Sequence, residues 1–280
     1  MTMEGNFDGI NGVELYYRRF KPKSTPKASV ILVHGHGDHS GGLENLSTAL
    51  VENDYIVYAY DQRGHGKSSG KRGFIRTWEE YSGDLHEFRK LVVSEFPELP
   101  LFIVGHSLGG VVTLDYAFDN GEGLAGISAI APAISYEATR SEKLLITFMG
   151  KIKPDFSIEK PGDIRRLTKD PEMIAKLSSD ELRHDTVTPG LGRGLMHAVG
   201  RLSKEADSFQ LPFLLQFGLE DVITPPEKLK QFFDSVASDN KLKIEYPSMH
   251  HRPFDDFGRE QFLADNISWL DRQIESARIV

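Results

Sequence analysis

The chain has 280 residues, and its 39% hydrophobic and 26% charged content is typical of a globular α/β domain or of a core with an insertion. The formal net charge of −8 argues against nucleic acid as a partner, and the lack of cysteine excludes disulfides, a thiol nucleophile and thiolate metal sites. The first residues show no secretion signal, and no apolar run approaches the roughly 18 residues of a membrane span. These features predict a cytoplasmic enzyme.

The first elements predicted along the chain are two strands, over Gly5–Asp8 and Val13–Phe20. They are joined at a turn containing Asn11 and Gly12, and the Asn-Gly pair favours the positive φ angles that hairpin turns need. A continuously apolar third strand follows over Ala28–His34, which is typical of a parallel sheet that is buried on both faces.

A loop rich in glycine and histidine follows the third strand and reads His34-Gly35-His36-Gly37-Asp38-His39-Ser40-Gly41. Its three histidines suggest a metal site, but glycines separate them and no carboxylate or cysteine pattern fixes a coordination geometry. A loop after the third strand is also where a backbone amide of an oxyanion hole usually arises. By position, that amide belongs to His36.

A second loop follows the predicted strand Tyr55–Tyr60 and ends in Gly66-Lys67-Ser68. This ending is similar to that of a phosphate-binding P-loop. The P-loop requires a glycine five positions before Gly66, where this chain has Asp61, so nucleotide binding is disfavoured. A turn held by Asp61 and Arg63 is favoured instead.

The most informative stretch is Leu101–Gly110, in which an apolar strand leads into Gly105-His106-Ser107-Leu108-Gly109. A helix is predicted after it, over Val111–Phe118, and strand, serine-centred turn and helix together are the context of a nucleophile elbow. The helix directs its positive end toward Ser107, which with the amide of Leu108 favours an oxyanion there. The alternative is a glycine-rich turn with an incidental serine.

Strands and helices alternate from Ala28 to Ala131, with helices predicted over Gly42–Asn53 and Trp78–Phe96 and a further strand over Gly126–Ala131. Such alternation predicts a parallel sheet with right-handed crossovers and a ligand site at the carboxyl ends of the strands. The histidine loop, the Asp61 loop and the serine turn all follow strands at such ends.

The alternation stops between Pro132 and about Phe209, where short helical patterns are broken by prolines and no clear strand is present. We expect a helical cap over residues 132–209, inserted between core segments 1–131 and 210–280. Within it, Ser141–Ile152 predicts a helix with a wide apolar face. Two interpretations of that face stay open, because it either packs on the core or meets a lipid surface or acyl tunnel.

A serine nucleophile needs a base to take its proton and an acid to orient that base. The core pattern resumes after the cap, and Glu220 and Asp221 follow one predicted strand while His250 and His251 follow the next. From the residues alone, either carboxylate is a candidate acid and either histidine a candidate base. The strands and helices predicted in this region are Leu211–Phe217, Pro226–Val236, Lys241–Tyr246 and Arg259–Ser276.

Five segments of the chain carry a combined signal, and they are His34–Gly41, Asp61–Ser68, Gly105–Gly110, Gly218–Asp221 and Tyr246–His251. Together they resemble the monoacylglycerol lipase/lysophospholipase family of α/β-hydrolases, also grouped as serine aminopeptidase-like hydrolases. The resemblance implies an α/β-hydrolase fold with a mostly parallel eight-stranded sheet and an inserted cap. It also implies Ser107 as nucleophile, Asp221 as acid and His251 as base. The chain departs from the family at His36, where a small or apolar residue is usual, so this side chain is expected to intrude near the acyl group.

The function that the resemblance implies is hydrolysis of carboxylic esters, with monoacylglycerols or lysophospholipids as substrates and an acyl-enzyme intermediate. The backbone amides of His36 and Leu108 would stabilise the oxyanion, and no metal or organic cofactor is needed. Peripheral membrane contact through the cap is a further expectation. The alternatives are a short-chain carboxylesterase or peptidase, and a slow hydrolase-like receptor for a small molecule.

Overall fold

The structure, a computed structural model, describes residues 2–135 and 138–279, with side chains up to residue 276. Its strands are β1 Thr2–Asp8, β2 Glu14–Phe20, β3 Ala28–Val33, β4 Tyr55–Tyr60, β5 Leu101–His106, β6 Gly126–Ile130, β7 Ile158–Glu159, β8 Thr186–Val187, β9 Phe213–Gly218 and β10 Lys241–Tyr246. Its α-helices are α1 Glu44–Glu52, α2 Glu79–Glu95, α3 Leu108–Asn120, α4 Arg140–Ile152, α5 Pro171–Ser178, α6 Pro189–Glu205, α7 Pro226–Ser235 and α8 Arg259–Ile279.

One eight-stranded sheet has the strand order β1-β2-β4-β3-β5-β6-β9-β10. Every neighbouring pair from β4 to β10 is parallel, whereas β1 pairs with β2, and β2 with β4, in antiparallel fashion. The mostly parallel eight-stranded sheet that the sequence predicts is therefore confirmed.

The connection between β1 and β2 contains the predicted Asn-Gly turn. Asn11 has φ = 61° and Gly12 has φ = 70°, both in the left-handed region, and they lie in a short 3-10 turn over Ile10–Gly12. The amide of Gly9 donates to the carbonyl of Val13 at 2.8 Å and closes the turn. The positive φ angles expected of Asn-Gly are thus confirmed.

The central strands are buried along their whole length, since every residue of β3, β4 and β5 is inaccessible to solvent or nearly so. Their continuous apolar sequence follows from this position, because helices cover both faces of the sheet. The core under α2, α3 and α7 includes Phe88, Val111, Leu114, Leu229 and Phe232. The core under α1 and α8 includes Leu46, Leu50, Phe262, Trp269 and Leu270.

The chain leaves the sheet between β6 and β9 and forms α4, α5 and α6 there. The expectation that this stretch has no strand is wrong, because β7 and β8 pair in antiparallel register, with Ile158 opposite Val187. Each strand has only two residues, which is too short for an alternating pattern to show in the sequence. Tyr136 and Glu137 of the predicted cap lie outside the described residues.

Helix α4 closely matches the predicted Ser141–Ile152 helix and begins with a capping box formed by Thr139 and Glu142. Ile146 faces α6, but other large apolar side chains of α4 point to solvent. The interpretation in which the whole apolar face packs on the core is therefore wrong. The exposed fractions of these α4 side chains are 73% for Leu144, 40% for Leu145, 66% for Phe148 and 64% for Ile152.

Among the described helices, none is long and apolar enough to cross a membrane.

Candidate active site

The serine turn between β5 and α3 has the geometry of a nucleophile elbow. Ser107 has φ = 53° and ψ = −116°, an unfavourable backbone conformation for a residue with a side chain. A Cβ on Gly105 would lie 2.3 Å from the carbonyl oxygen of Gly109 across the turn, and one on Gly109 would lie 2.2 Å from that of Val33. The two glycines are therefore required by close backbone contacts on either side of the serine.

A chain of hydrogen bonds connects the serine to a histidine and a carboxylate from two other strand ends. His251 Nε2 lies 2.9 Å from Ser107 Oγ, and His251 Nδ1 lies 2.8 Å from Asp221 Oδ2. Asp221 and His251 are each 3% exposed, and Ser107 is 9% exposed. The structure thus brings together the three residues that the family resemblance implies.

The neighbours of these residues have other partners. The carboxylate of Glu220 is half exposed and lies 3.2 Å from Lys169 Nζ. His250 Nδ1 lies 3.2 Å from Asp256 Oδ2, and the same oxygen accepts a hydrogen bond from the backbone amide of His250. Of the alternatives left open by the residues, His251 is therefore the histidine that contacts Ser107, and Asp221 is the carboxylate that contacts His251.

The carboxylate of Asp221 is held ionised by its surroundings. Burial acts to raise its pKa, but the imidazole of His251 and the hydrogen bonds from Thr224 outweigh burial and hold the pKa below its usual value. Thr224 donates its hydroxyl at 2.5 Å and its amide at 2.9 Å, and the amide of Ile223 donates at 2.7 Å. Sequence reasoning missed Thr224, although an Asp followed three residues later by Thr is a recognisable local hydrogen-bonding pattern.

His106, the residue before the serine, supports the loop that carries His251. Its Nε2 lies 2.9 Å from the carbonyl oxygen of His251, and the two rings are 4.8 Å apart at their centroids. Burial, together with the nearby His251, lowers the pKa of His106 well below its usual value, so the ring is neutral and Nε2–H is the donor. No local sequence signal indicates this contact, because the partners are 145 residues apart.

The loop after β3 lies directly against the serine, as expected for a source of the second oxyanion amide. A Cβ on Gly35 would lie 3.1 Å from the Cβ of Ser107, so the amide of His36 follows at the next position. On the other side, Leu108 is the first residue of α3, and the amides of a first helical turn have no partner within the helix. Leu108 is thus next to Ser107 in the chain, and Gly35, the residue before His36, lies against Ser107 in space. The role of the two amides in an oxyanion hole stays a prediction.

The side chain of His36 belongs to a group of imidazoles rather than standing alone. Its ring is edge-to-face with those of His65, at 5.6 Å, and His184, at 5.4 Å. Burial and, to a smaller extent, the neighbouring His184 lower the pKa of His36 to about 3. The ring is therefore neutral, and its expected intrusion near an acyl group stays a prediction.

The other two histidines of the predicted loop have separate partners. His34 is completely buried, and its Nε2 accepts the amide of Gln62 at 2.9 Å. His39 Nε2 lies 2.8 Å from Asp180 Oδ2. Within residues 2–135 and 138–279, no three histidine or carboxylate side chains are arranged to hold a metal ion.

The loop after β4 is held by Asp61, as predicted, but Arg63 acts differently. Asp61 accepts the amides of Ser40 at 2.7 Å and Lys67 at 2.8 Å, which joins the two glycine-rich loops. Arg63 makes a bidentate ion pair with Asp84 of α2, with both hydrogen bonds at 2.6 Å. The arginine thus attaches the loop to a helix and does not close the turn.

Comparison with known proteins places this site in a family. The family model described as serine aminopeptidase, S33, matches residues 24–257, which include every candidate site residue named above. The chain belongs to the serine aminopeptidase S33 family of hydrolases. The resemblance inferred from the five sequence segments is thereby confirmed.

Similarity within the S33 family extends over most of the chain. A monoacylglycerol lipase of Mycolicibacterium smegmatis is 28% identical over 271 residues, which cover 95% of this chain and 96% of that protein. An abhydrolase domain-containing protein of Dictyostelium discoideum is 30% identical over 271 residues, and the chain spans 28% of that protein's length.

The crystal structure of Paleococcus ferrophilus monoacylglycerol lipase has a TM-score of 0.84 and 32% identity, covering 92% of this chain and 99% of that one. These similarities confirm the predicted α/β-hydrolase fold and the prediction of an ester hydrolase.

Proposed function

We propose that the protein hydrolyses the carboxylic esters of monoacylglycerols or lysophospholipids, with Ser107, His251 and Asp221 as its catalytic triad. The observation that carries this proposal is the hydrogen-bonded chain from Ser107 Oγ through the His251 ring to Asp221 Oδ2, at 2.9 and 2.8 Å. The site lies at the carboxyl ends of parallel strands, where α/β proteins bind their ligands.

In the proposed first step, Ser107 Oγ attacks the ester carbonyl carbon while His251 Nε2 takes the serine proton. Asp221 accepts the Nδ1–H bond, fixes the ring tautomer and stabilises the imidazolium that forms. The tetrahedral intermediate collapses when His251 returns the proton to the leaving alcohol oxygen, which leaves an acyl group on the serine. Water then repeats the sequence and releases the fatty acid.

The negative charge on the tetrahedral oxygen requires donors that are already in place. We assign this role to the backbone amides of Leu108 and His36, which flank Ser107 from α3 and from the loop after β3. Loss of one oxyanion donor typically costs about 3 kcal/mol of transition-state stabilisation. The proposed mechanism uses no metal ion and no organic cofactor.

The proposed substrate class rests on the relatives and on the cap. A monoacylglycerol lipase is similar to this chain over nearly its full length. We also propose that residues 132–209 form a cap that determines substrate preference, and that the exposed side chains of Leu144, Phe148 and Ile152 contact a lipid surface. A cytoplasmic protein that binds membranes peripherally would meet such esters at that surface.

The deciding experiment is a hydrolysis panel of a short-chain ester, a long-chain monoacylglycerol and a lysophospholipid, each with wild type and Ser107→Ala. Fastest cleavage of a long-chain substrate, abolished in Ser107→Ala, would support the proposal. Cleavage of the short ester alone would favour a short-chain carboxylesterase or peptidase. Equal and slow rates for wild type and variant on every ester would contradict the proposed mechanism and favour a small-molecule receptor.

A further inference from the structure

Two stretches that are far apart in sequence lie side by side, and one of them begins directly after Gly35, which lies against Ser107. They are residues 36–39, here named the oxyanion loop, and residues 180–184, here named the cap segment. Asp38 Oδ1 lies 2.9 Å from Arg183 Nη1, and His39 Nε2 lies 2.8 Å from Asp180 Oδ2. Successive residues of the loop therefore have ionic or hydrogen-bonding partners on the segment.

Backbone contacts continue this pairing toward the serine. The carbonyl of Gly37 accepts the amide of His184 at 3.1 Å, and the rings of His36 and His184 meet edge-to-face at 5.4 Å. Gly37 has φ = +68°, and a Cβ there would lie 2.1 Å from the carbonyl oxygen of His184. The two backbones are thus packed so closely at this point that only glycine fits.

The ion pair of Asp38 is buried and shared with the loop that carries the histidine of the triad. Asp38 is 1% exposed, and its other oxygen accepts a hydrogen bond from Arg252, the residue after His251. Burial acts to raise the pKa of Asp38, but Arg252 and Arg183 together hold it far below its usual value. One carboxylate therefore contacts the histidine loop and the cap segment while it belongs to the oxyanion loop.

The core contacts the oxyanion loop at its two ends and, between them, through Arg252 on Asp38 and the ring of His65 against His36. Strand β3 ends at Val33, before the loop, and the amide of Ser40, after it, donates to Asp61 at 2.7 Å. Between these points, Gly37, Asp38 and His39 contact the cap segment as described above. His36 contacts it through its ring, which meets that of His184. The position of the His36 amide thus depends on the cap segment as well as on the core.

We propose that the cap segment positions the oxyanion loop, with Arg183 and Asp180 acting as positioning residues that need no contact with substrate. This inference rests on the proposed function, because it assigns the amide of His36 to the oxyanion. It implies that the oxyanion hole is complete only when the cap segment is in contact with the oxyanion loop. A cap that only bound the acyl chain would leave the chemistry of small esters unaffected.

The test compares Arg183→Ala with wild type on 4-nitrophenyl acetate and on a long-chain monoacylglycerol. We expect kcat to fall about 10-fold on both esters with KM nearly unchanged, because a displaced donor weakens the transition state and not ground-state binding. Arg183→Lys, which keeps the positive charge beside Asp38, should recover most of the lost rate. Asp180→Asn should lower kcat in the same way through His39.

The matched control is Arg165→Ala, because Arg165 is also a cap arginine but is 78% exposed and pairs with Asp163 two residues away. It should leave kcat and KM unchanged on both esters. Thermal unfolding of each variant separates lost activity from lost fold. If Arg183→Ala does not fold, Arg183→Lys and Asp180→Asn are compared with wild type instead. The inference then requires that Asp180→Asn lowers kcat on both esters and that Arg183→Lys stays near the wild-type kcat.

Two results would overturn the inference while leaving the proposed function intact. One is an unchanged kcat on both esters in folded Arg183→Ala and Asp180→Asn. The other is a loss confined to the long-chain ester and expressed as a raised KM, which would assign the segment to substrate binding. Failure of the proposed function is distinguishable, because Ser107→Ala would then retain wild-type activity.

Discussion

His106 donates from Nε2 to the backbone carbonyl of His251 at 2.9 Å, so the residue before the candidate nucleophile supports the loop of the candidate base. The ring of His106 also packs edge-to-face on Phe254, with centroids 5.0 Å apart. The serine turn and the histidine loop are therefore connected by a buried neutral donor in addition to the contact between Ser107 and His251.

Replacement of His106 by Phe should lower kcat about 10-fold, because the carbonyl of His251 loses its donor and the imidazole loses its fixed orientation. An unsatisfied buried acceptor should also cost about 1–3 kcal/mol of unfolding free energy. His106→Gln places an amide donor near the same point and should recover part of both losses. Steady-state kinetics with urea denaturation measure these effects, and wild-type kinetics in His106→Phe would contradict the positioning role.

Replacement of Gly109 by Ala should destabilise the fold by about 3 kcal/mol or more, because buried atoms that overlap cannot relax without moving the sheet. The added Cβ would lie 2.2 Å from the carbonyl oxygen of Val33 and 2.4 Å from that of His34. Gly200→Ala, also within a helix but with no atom within 4 Å of the new Cβ, is the control and should stabilise by about 0.5–1 kcal/mol. Equal denaturation midpoints for the two variants would show that the elbow tolerates a side chain.

The double substitution Leu144→Ser with Phe148→Ser should weaken binding to phosphatidylcholine vesicles at least about 10-fold, because it removes two large exposed apolar groups from α4. Turnover of 4-nitrophenyl acetate in solution should not change. Val93→Ser, which alters a 39% exposed apolar residue on α2, is the control and should bind vesicles as wild type does. Cosedimentation measures the bound fraction, and an equal fraction for all three proteins would contradict membrane contact through α4.

The stability of the fold should fall as the pH is lowered from about 6.5 toward 4. Burial lowers the pKa of His184 to about 4 and that of His36 to about 3, both below the usual value for an unfolded chain. In this window the unfolded state binds more protons than the folded state, so protonation favours unfolding. Stability from these neutral rings is complete above pH 6.5 and is lost as the pH falls through the folded pKa values.

Denaturant unfolding at several pH values between 7.5 and 4.5 measures this slope. His184→Gln should flatten it, since one depressed imidazole pKa is removed. His197→Gln, which changes an exposed histidine on α6, should leave it as in wild type. Parallel slopes for wild type and His184→Gln would show that the imidazole group does not control acid stability.

The sequence predicted best those features that depend on neighbours in the chain. Ser107 lies between two glycines because of contacts within one turn, and the same turn joins a strand to a helix, so its spacing is readable. The buried strands were also readable, because burial on both faces requires an unbroken apolar run. The choice between Glu220 and Asp221 could not be made from the residues alone, because both follow the same strand and only their distant partners differ.

Contacts between remote segments explain most of what the sequence did not indicate. Arg183 and Asp38 form an ion pair across 145 residues of sequence, and no local pattern distinguishes either from a surface charge. The role of Arg63 was misjudged for a similar reason, since its partner Asp84 lies on the following helix and not in its own turn. The side of α4 that faces solvent could not be inferred either, because periodicity identifies an apolar face but not what it contacts.

The pairing of residues 180–184 with residues 36–39 has a consequence for engineering. Under the proposal that the region between β6 and β9 determines substrate preference, exchanging it with that of a relative would be a direct route to a new preference. Such a chimera would also remove Arg183 and Asp180, which pair with Asp38 and His39, and the backbone contact at Gly37. Graft junctions that retain this five-residue stretch of the host, and replace only the helices around it, are therefore the ones to build.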